Sequence, residues 1–124
     1  MSKPCLLFQR ALSTTSTDFT VGDLVLEGPT RGMIIITQLF ITPRVVTTAG
    51  STIRVHHTTR NSEPSTSNVI LLFNVSAYDD YRGRQKGAPI DTKIVVSPGD
   101  RIYAHLHSEG VGTITAYGLK PNYE

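Results

Sequence analysis

Between Asp91 and Leu119 the chain reads DTKIVVSPGDRIYAHLHSEGVGTITAYGL, and this stretch decides the fold. From Arg101 to Ser108, the apolar residues Ile102, Ala104 and Leu106 alternate with Arg101, Tyr103, His105 and His107. A period of two places the two sets on opposite faces of a β-strand. Thr113 to Leu119 repeats the pattern, with Ile114, Ala116 and Gly118 opposing Thr113, Thr115, Tyr117 and Leu119. The turn signals Pro98-Gly99-Asp100 and Glu109-Gly110 separate the runs. Strands joined by tight turns pair antiparallel, and each here has one apolar and one polar face.

The rest of the chain reads the same way. Its 124 residues include 16 Thr, 10 Val and 10 Ile, against 6 Ala, 4 Glu and 4 Lys, a balance that favours β structure. Further strands are expected at Met33 to Thr42, Ser51 to Thr59, Asn68 to Ser76 and Thr92 to Val96, with weaker ones near Cys5 to Leu12 and Phe19 to Leu26. Gly28-Pro29, Gly32, Pro43, Ala49-Gly50, Asn61 to Pro64 and Gly83 to Pro89 punctuate them. No segment keeps a helical period, and no repeat or linker divides the chain. The expectation is one antiparallel β-sandwich or barrel of about eight strands. Ile53 and Val55 face its core with Ile102, Ala104, Leu106, Ile114 and Ala116. Met33 to Ile41 and Val69 to Val75 are apolar on both faces, which predicts strands covered twice, by the core and by a partner subunit.

Several function classes lose support at this level. The net charge is +2, and basic residues cluster only at Arg82, Arg84 and Lys86, so nucleic acid is not implied. Apolar runs are too short to span a bilayer as helices. Lys3 to Phe8 imitates a signal peptide, but the run stops at Gln9-Arg10 with no small-residue cleavage site after it. The single cysteine, Cys5, cannot pair within the chain, and assembly in a cytosol is expected. No nucleophile elbow, phosphate loop or dinucleotide fingerprint is present, and no cofactor or catalytic residue is expected.

Three groups of residues remain as candidates. His105 and His107 lie on one strand face about 7 Å apart by strand geometry, a separation at which two imidazoles can share a metal. Gly99, five residues and then His105-Leu106-His107 resembles the first metal motif of cupins. The glutamate that should follow that motif comes too early, at Glu109, the second motif is absent, and the alternation gives the interior to Ile102, Ala104 and Leu106. Surface or interface histidines are the expectation. Tyr78, Tyr81 and Arg82, with Asp79 and Asp80, sit in the longest predicted connection, Ala77 to Asp91, and combine rings, carboxylates and a guanidinium as glycan-binding loops do. Arg82 and Arg84, with Lys86, also suit a phosphate or an acidic protein surface. Finally, Cys5, Leu6, Leu7, Phe8 and Leu12 are apolar anchors ahead of the hinge-like Ser13 to Thr17. Residues 1–18 are therefore read either as an arm that docks on a neighbour or as an edge strand of the domain formed by residues 19–124.

The wording of Asp91 to Leu119, and more loosely the strand pattern from Ile34 onward, resembles small jelly-roll accessory proteins of tailed-phage virions, either capsid cement and decoration proteins or tail and fibre modules. That resemblance implies a jelly-roll sandwich with no catalytic residue. It implies a trimer that adheres to the major capsid protein or another virion protein and is assembled in the host cytoplasm. The alternatives are a glycan- or receptor-binding tail module and, at greater distance, a cupin-like metal protein.

Overall fold

A computed structural model describes residues 4–12, 16, 18–45, 51–60, 62–75, 80–81, 84–85, 88–106 and 111–121. The strands are β1 (Cys5–Leu12), β2 (Asp23–Glu27), β3 (Ile34–Val45), β4 (Ser51–Thr58), β5 (Val69–Val75), β6 (Asp80–Tyr81), β7 (Arg84–Gln85), β8 (Ala88–Val96), β9 (Arg101–Leu106) and β10 (Val111–Leu119), with a single 3-10 turn at Thr66–Asn68. Two four-stranded sheets carry the architecture, in the orders β1-β10-β3-β8 and β2-β9-β4-β5.

All six pairings within those two sheets are antiparallel. Leaving aside the short β6–β7 ladder, the first strand pairs with the last, the second with the seventh, the third with the sixth and the fourth with the fifth. This is one long hairpin wound so that successive rungs fall in alternate sheets, the jelly roll, closed by β10 on β3 and β9 on β4.

The expected inward residues fill the space between the sheets. Ile53, Val55, Ile102, Ala104, Leu106, Ile114 and Ala116 are buried together with Leu12, Ile34, Ile36, Leu39, Ile94 and Val96. Removing such side chains from water contributes about 1.5–3 kcal/mol for each of the larger ones. The turn between β8 and β9 is built as its sequence dictates. Pro98 and Gly99 occupy the central positions, Gly99 has φ +90°, and the Asp100 amide donates to the Ser97 carbonyl at 2.9 Å. The Asp100 carboxylate accepts from the Ser97 amide and lies 3.0 Å from the His57 ring, tying the turn to β4.

Several expectations are corrected. β3 continues through Pro43 to Val45, and β8 begins at Ala88, before the expected Thr92. Pro89 is tolerated there because β8 is an edge strand. The predicted connection Ala77 to Asp91 contains the β6–β7 ladder. Phe19 to Gly22 lie outside any strand. β1 is the edge strand of the first sheet, paired to β10 along its length, with Leu12 in the core.

Part of the two-faced apolar pattern of Met33 to Ile41 has a local cause, while Ile35 and Phe40 stay only partly buried on the outer face. Gln38 and Ile36 pair with the successive residues Tyr117 and Gly118, so Thr37 is an extra residue in β3. The bulge switches parity, and the buried positions run Ile34, Ile36, Leu39. One face is sampled twice along the chain, whereas Met33 is half exposed.

Leu106→Ala should cost about 2–5 kcal/mol, since it opens a cavity beneath both sheets. Urea unfolding checks this, with the midpoint falling and the m-value unchanged.

Candidate functional site

The outer face of the β2-β9-β4-β5 sheet is polar, as its sequence requires, but it is not wet. Arg54 and His56 have no exposed surface, Thr58 and His105 almost none, and Tyr103 is 8% exposed. The expectation of a solvated or interfacial face is corrected, because the chain covers this face itself. Ser16 and residues 18–22 cross it as a strap.

The strap is shaped locally. The Asp18 carboxylate accepts from the Thr20 amide at 2.9 Å and from its hydroxyl at 2.8 Å, and the Val21 amide closes a turn onto the Asp18 carbonyl at 3.1 Å. Those two bonds from Thr20 hold the Asp18 carboxyl below its usual range. Gly22 then lets the backbone lie close on Tyr103, since a Cβ there would stand 3.2 Å from that of Tyr103. Ser16 is held by its amide on the Leu106 carbonyl at 3.0 Å.

Arg54 fastens the strap to the sheet. Its Nη1 donates to the Ser16 carbonyl at 3.0 Å, and its Nη2 donates to the carbonyls of Asp18 at 3.0 Å and Val21 at 2.6 Å. The Phe19 ring centroid lies 4.9 Å from the guanidinium carbon, a cation–π contact. Burial lowers the Arg54 pKa, with the Asp18 charge opposing that shift, but a guanidinium stays charged in proteins.

The remaining guanidinium edge fixes a histidine. Arg54 Nε donates to His56 Nε2 at 3.0 Å, so that nitrogen must keep its lone pair. The proton then sits on Nδ1, 2.7 Å from the Asn68 side-chain carbonyl. Asn68 is itself positioned by the Ser65 amide and the Glu63 carbonyl at the 3-10 turn. Burial is the main cause that pushes the His56 pKa below its ordinary value, and the Arg54 charge adds to it, against the hydrogen bond that His56 donates to Asn68.

His105 sits directly across from Arg54 in the ladder. Neither ring nitrogen has a hydrogen-bond partner among the described residues. Asp23 Oδ2 is 3.8 Å from Nδ1, too far for a hydrogen bond but close enough to pair with an imidazolium. Burial lowers the His105 pKa most; Asp23 raises it and Arg54 lowers it.

His105 therefore lies on the face opposite Ile102, Ala104 and Leu106, as the alternation requires, and His107 lies outside the described residues. Among the described residues no group of three His, Cys, Asp or Glu side chains comes together to hold a metal ion. Leu7 and Phe8 pack against the core, Cys5 is partly buried, and Leu6 is half exposed opposite Tyr117. Leu12 is core, so Leu7, Phe8 and Leu12 serve the chain's own sandwich. Tyr81 and Arg84 pair across β6 and β7, while Tyr78 and Arg82 lie outside the described residues. The residues missed from the sequence are Arg54, His56, Asn68, Asp23 and the strap. A usable signal existed, since Arg54-Val55-His56 and Tyr103-Ala104-His105 place cations on like faces of adjacent strands.

No protein family, curated protein or solved structure matches the chain.

Arg54→Ala should cost about 1–3 kcal/mol, because three strap carbonyls and His56 lose their donor together. Arg54→Lys should recover only part of this, since one ammonium cannot reach both sides of the fork. Thermal and urea unfolding check both. Because both histidine pKa values are lowered on folding, the unfolded chain binds more protons below about pH 6.5, so stability is full above that pH and declines as pH falls. A melting temperature lower at pH 5 than at pH 7.5 is expected.

Proposed function

We propose that the protein is a non-enzymatic structural component acting through protein–protein contacts, a cement or decoration protein of a tailed-phage capsid that assembles as a trimer. The single observation that carries the adhesive reading is the uncovered side of the sandwich. β8 ends one sheet and β5 ends the other, and among the described residues neither has a second partner strand. Between these edges lies an open groove of about 450 Å³ lined by Ile70, Leu71, Ile94 and Val95, with Lys93 and His57 at its margin. Ile70 and Leu72 are 38% and 50% exposed on β5. Unpaired strand edges beside apolar side chains are the surfaces that monomeric sandwiches usually blunt. The virion setting and the trimer rest on the resemblance carried by residues 91–119 and, more loosely, by the strand pattern from Ile34 onward.

A second reading has its own observation. On the outer face of the β1-β10-β3-β8 sheet, Tyr117 is 41% exposed, and two shallow depressions meet there, lined by Gln9, Gln38, Phe40, Asp91, Thr115 and Pro4. Rings beside carboxamides suit a neutral sugar, whose C–H face stacks while its hydroxyls bond the amides.

Light scattering at micromolar concentration is expected to give three times the 13.6 kDa chain mass. Leu72→Lys with Ile70→Lys should give monomers of unchanged fold. A wild-type monomer that electron microscopy also fails to find on a native particle contradicts the assembly reading. Chemical-shift changes at Tyr117 on adding mannose or galactose, lost in Tyr117→Ala, would favour the sugar-binding reading instead.

A further inference from the structure

We propose that the strap of Ser16 and residues 18–22 is an acid-released cover: at neutral pH Arg54 holds it on the second sheet, and protonation of His56 and His105 in acid opens it while the sandwich core stays folded.

The argument starts from what a proton does at each ring. His56 Nε2 is the acceptor for Arg54 Nε at 3.0 Å. Protonation converts that nitrogen into a donor and sets two buried cations face to face. His105, opposite Arg54 in the ladder, has no hydrogen-bond partner for either nitrogen among the described residues, so an imidazolium there gains little solvation. The charged groups facing the rings are few. Asp23 of β2 stands 3.8 Å from His105 and, among the described residues, is the one carboxylate within ion-pair reach of either ring. Asp18 of the strap is committed to Thr20, and its charge acts on Arg54. From β4 the facing charge is Arg54 itself, and from the 3-10 turn the facing group is the uncharged Asn68. Among the described residues one carboxylate, Asp23, therefore lies within ion-pair reach of the histidines in the acid form.

Hydration relieves this arrangement, and the route to water is short. The strap is joined to the sheet by the carbonyl bonds to Arg54, by the Ser16 amide and by the Phe19 ring. The core side chains of the same strands, Ile53, Val55, Ile102, Ala104 and Leu106, point the other way, between the sheets. Lifting the strap wets the histidines without opening that core, so opening is local. The lowered pKa values of both rings give the same direction, since protons favour the wet, open form.

Amide hydrogen exchange at pH 7.5 and pH 5, expressed as protection factors to remove the intrinsic pH effect, tests this. The Ser16 and Val21 amides, bonded to Leu106 and Asp18, should lose about tenfold or more in protection at pH 5. Amides of β4 and β9 should fall only with global stability and keep protection factors well above those of the strap at pH 5. Unchanged protection in the strap overturns the proposal, and so do strap and core protection factors that coincide at pH 5, which is acid unfolding. In His56→Gln with His105→Phe the pH dependence of strap protection should vanish, and its persistence in a folded double variant also overturns the proposal. Should that variant fail to fold, wild-type imidazole titration by NMR decides. Rings that titrate in step with strap opening support the cover, and rings that titrate near their ordinary pKa while the strap stays protected refute it.

Discussion

A guanidinium with no exposed surface governs one side of this molecule. Arg54 sits on a central strand of the second sheet, and a charge buried there without partners would cost several kcal/mol. Among the described residues, carbonyls of the chain meet that demand. A turn stabilised by the Asp18 side chain aims the carbonyls of Asp18 and Val21 at one nitrogen, and Ser16 supplies another. The acceptor left for Nε is an imidazole nitrogen, which fixes the His56 tautomer and through it the position of Asn68. Strap, sheet and 3-10 turn are thus joined by one planar group whose fork fits all of them.

The two outer faces differ in consequence. The face of the β1-β10-β3-β8 sheet presents Tyr117, Gln9 and Asp91 to water. The face of the other sheet is sealed over its histidines, and its free edge, β5, carries exposed Ile70 and Leu72 instead. Contacts made through the β5–β8 side would leave the strap accessible, since the strap contacts β4 and β9 through Arg54 and Leu106. The proposed contact edge and the proposed acid-released strap would therefore occupy separate parts of the surface.

The sandwich was legible because its strands alternate cleanly wherever only one apolar face exists. Ile102, Ala104 and Leu106 could be assigned inward from a period of two, and the Pro98-Gly99 turn from the conformational preferences of its residues. Alternation shows which side chains share a face but not what lies on that face. His105 reads as a surface or interface residue because a face covered by the same chain and a face open to water carry the same polar pattern. The cover comes from residues distant in sequence, and its recognition depends on backbone carbonyls, which have no sequence signature. At Met33 to Ile41 the alternation failed for a different reason, the extra residue Thr37, which shifts the register without changing composition. The β1 segment was left open between arm and edge strand, because an apolar strand reads alike whether it pairs with its own domain or with another.

The account centres on a neutral His56 that accepts from a buried Arg54. Long-range nitrogen–proton NMR of the imidazole rings at pH 7.5 tests this most directly. The predicted result is His56 with its proton on Nδ1 and Nε2 unprotonated, together with an Arg54 Nε proton slow to exchange with water. A His56 ring protonated at Nε2, or an Arg54 Nε proton exchanging as fast as that of an exposed arginine, would contradict it.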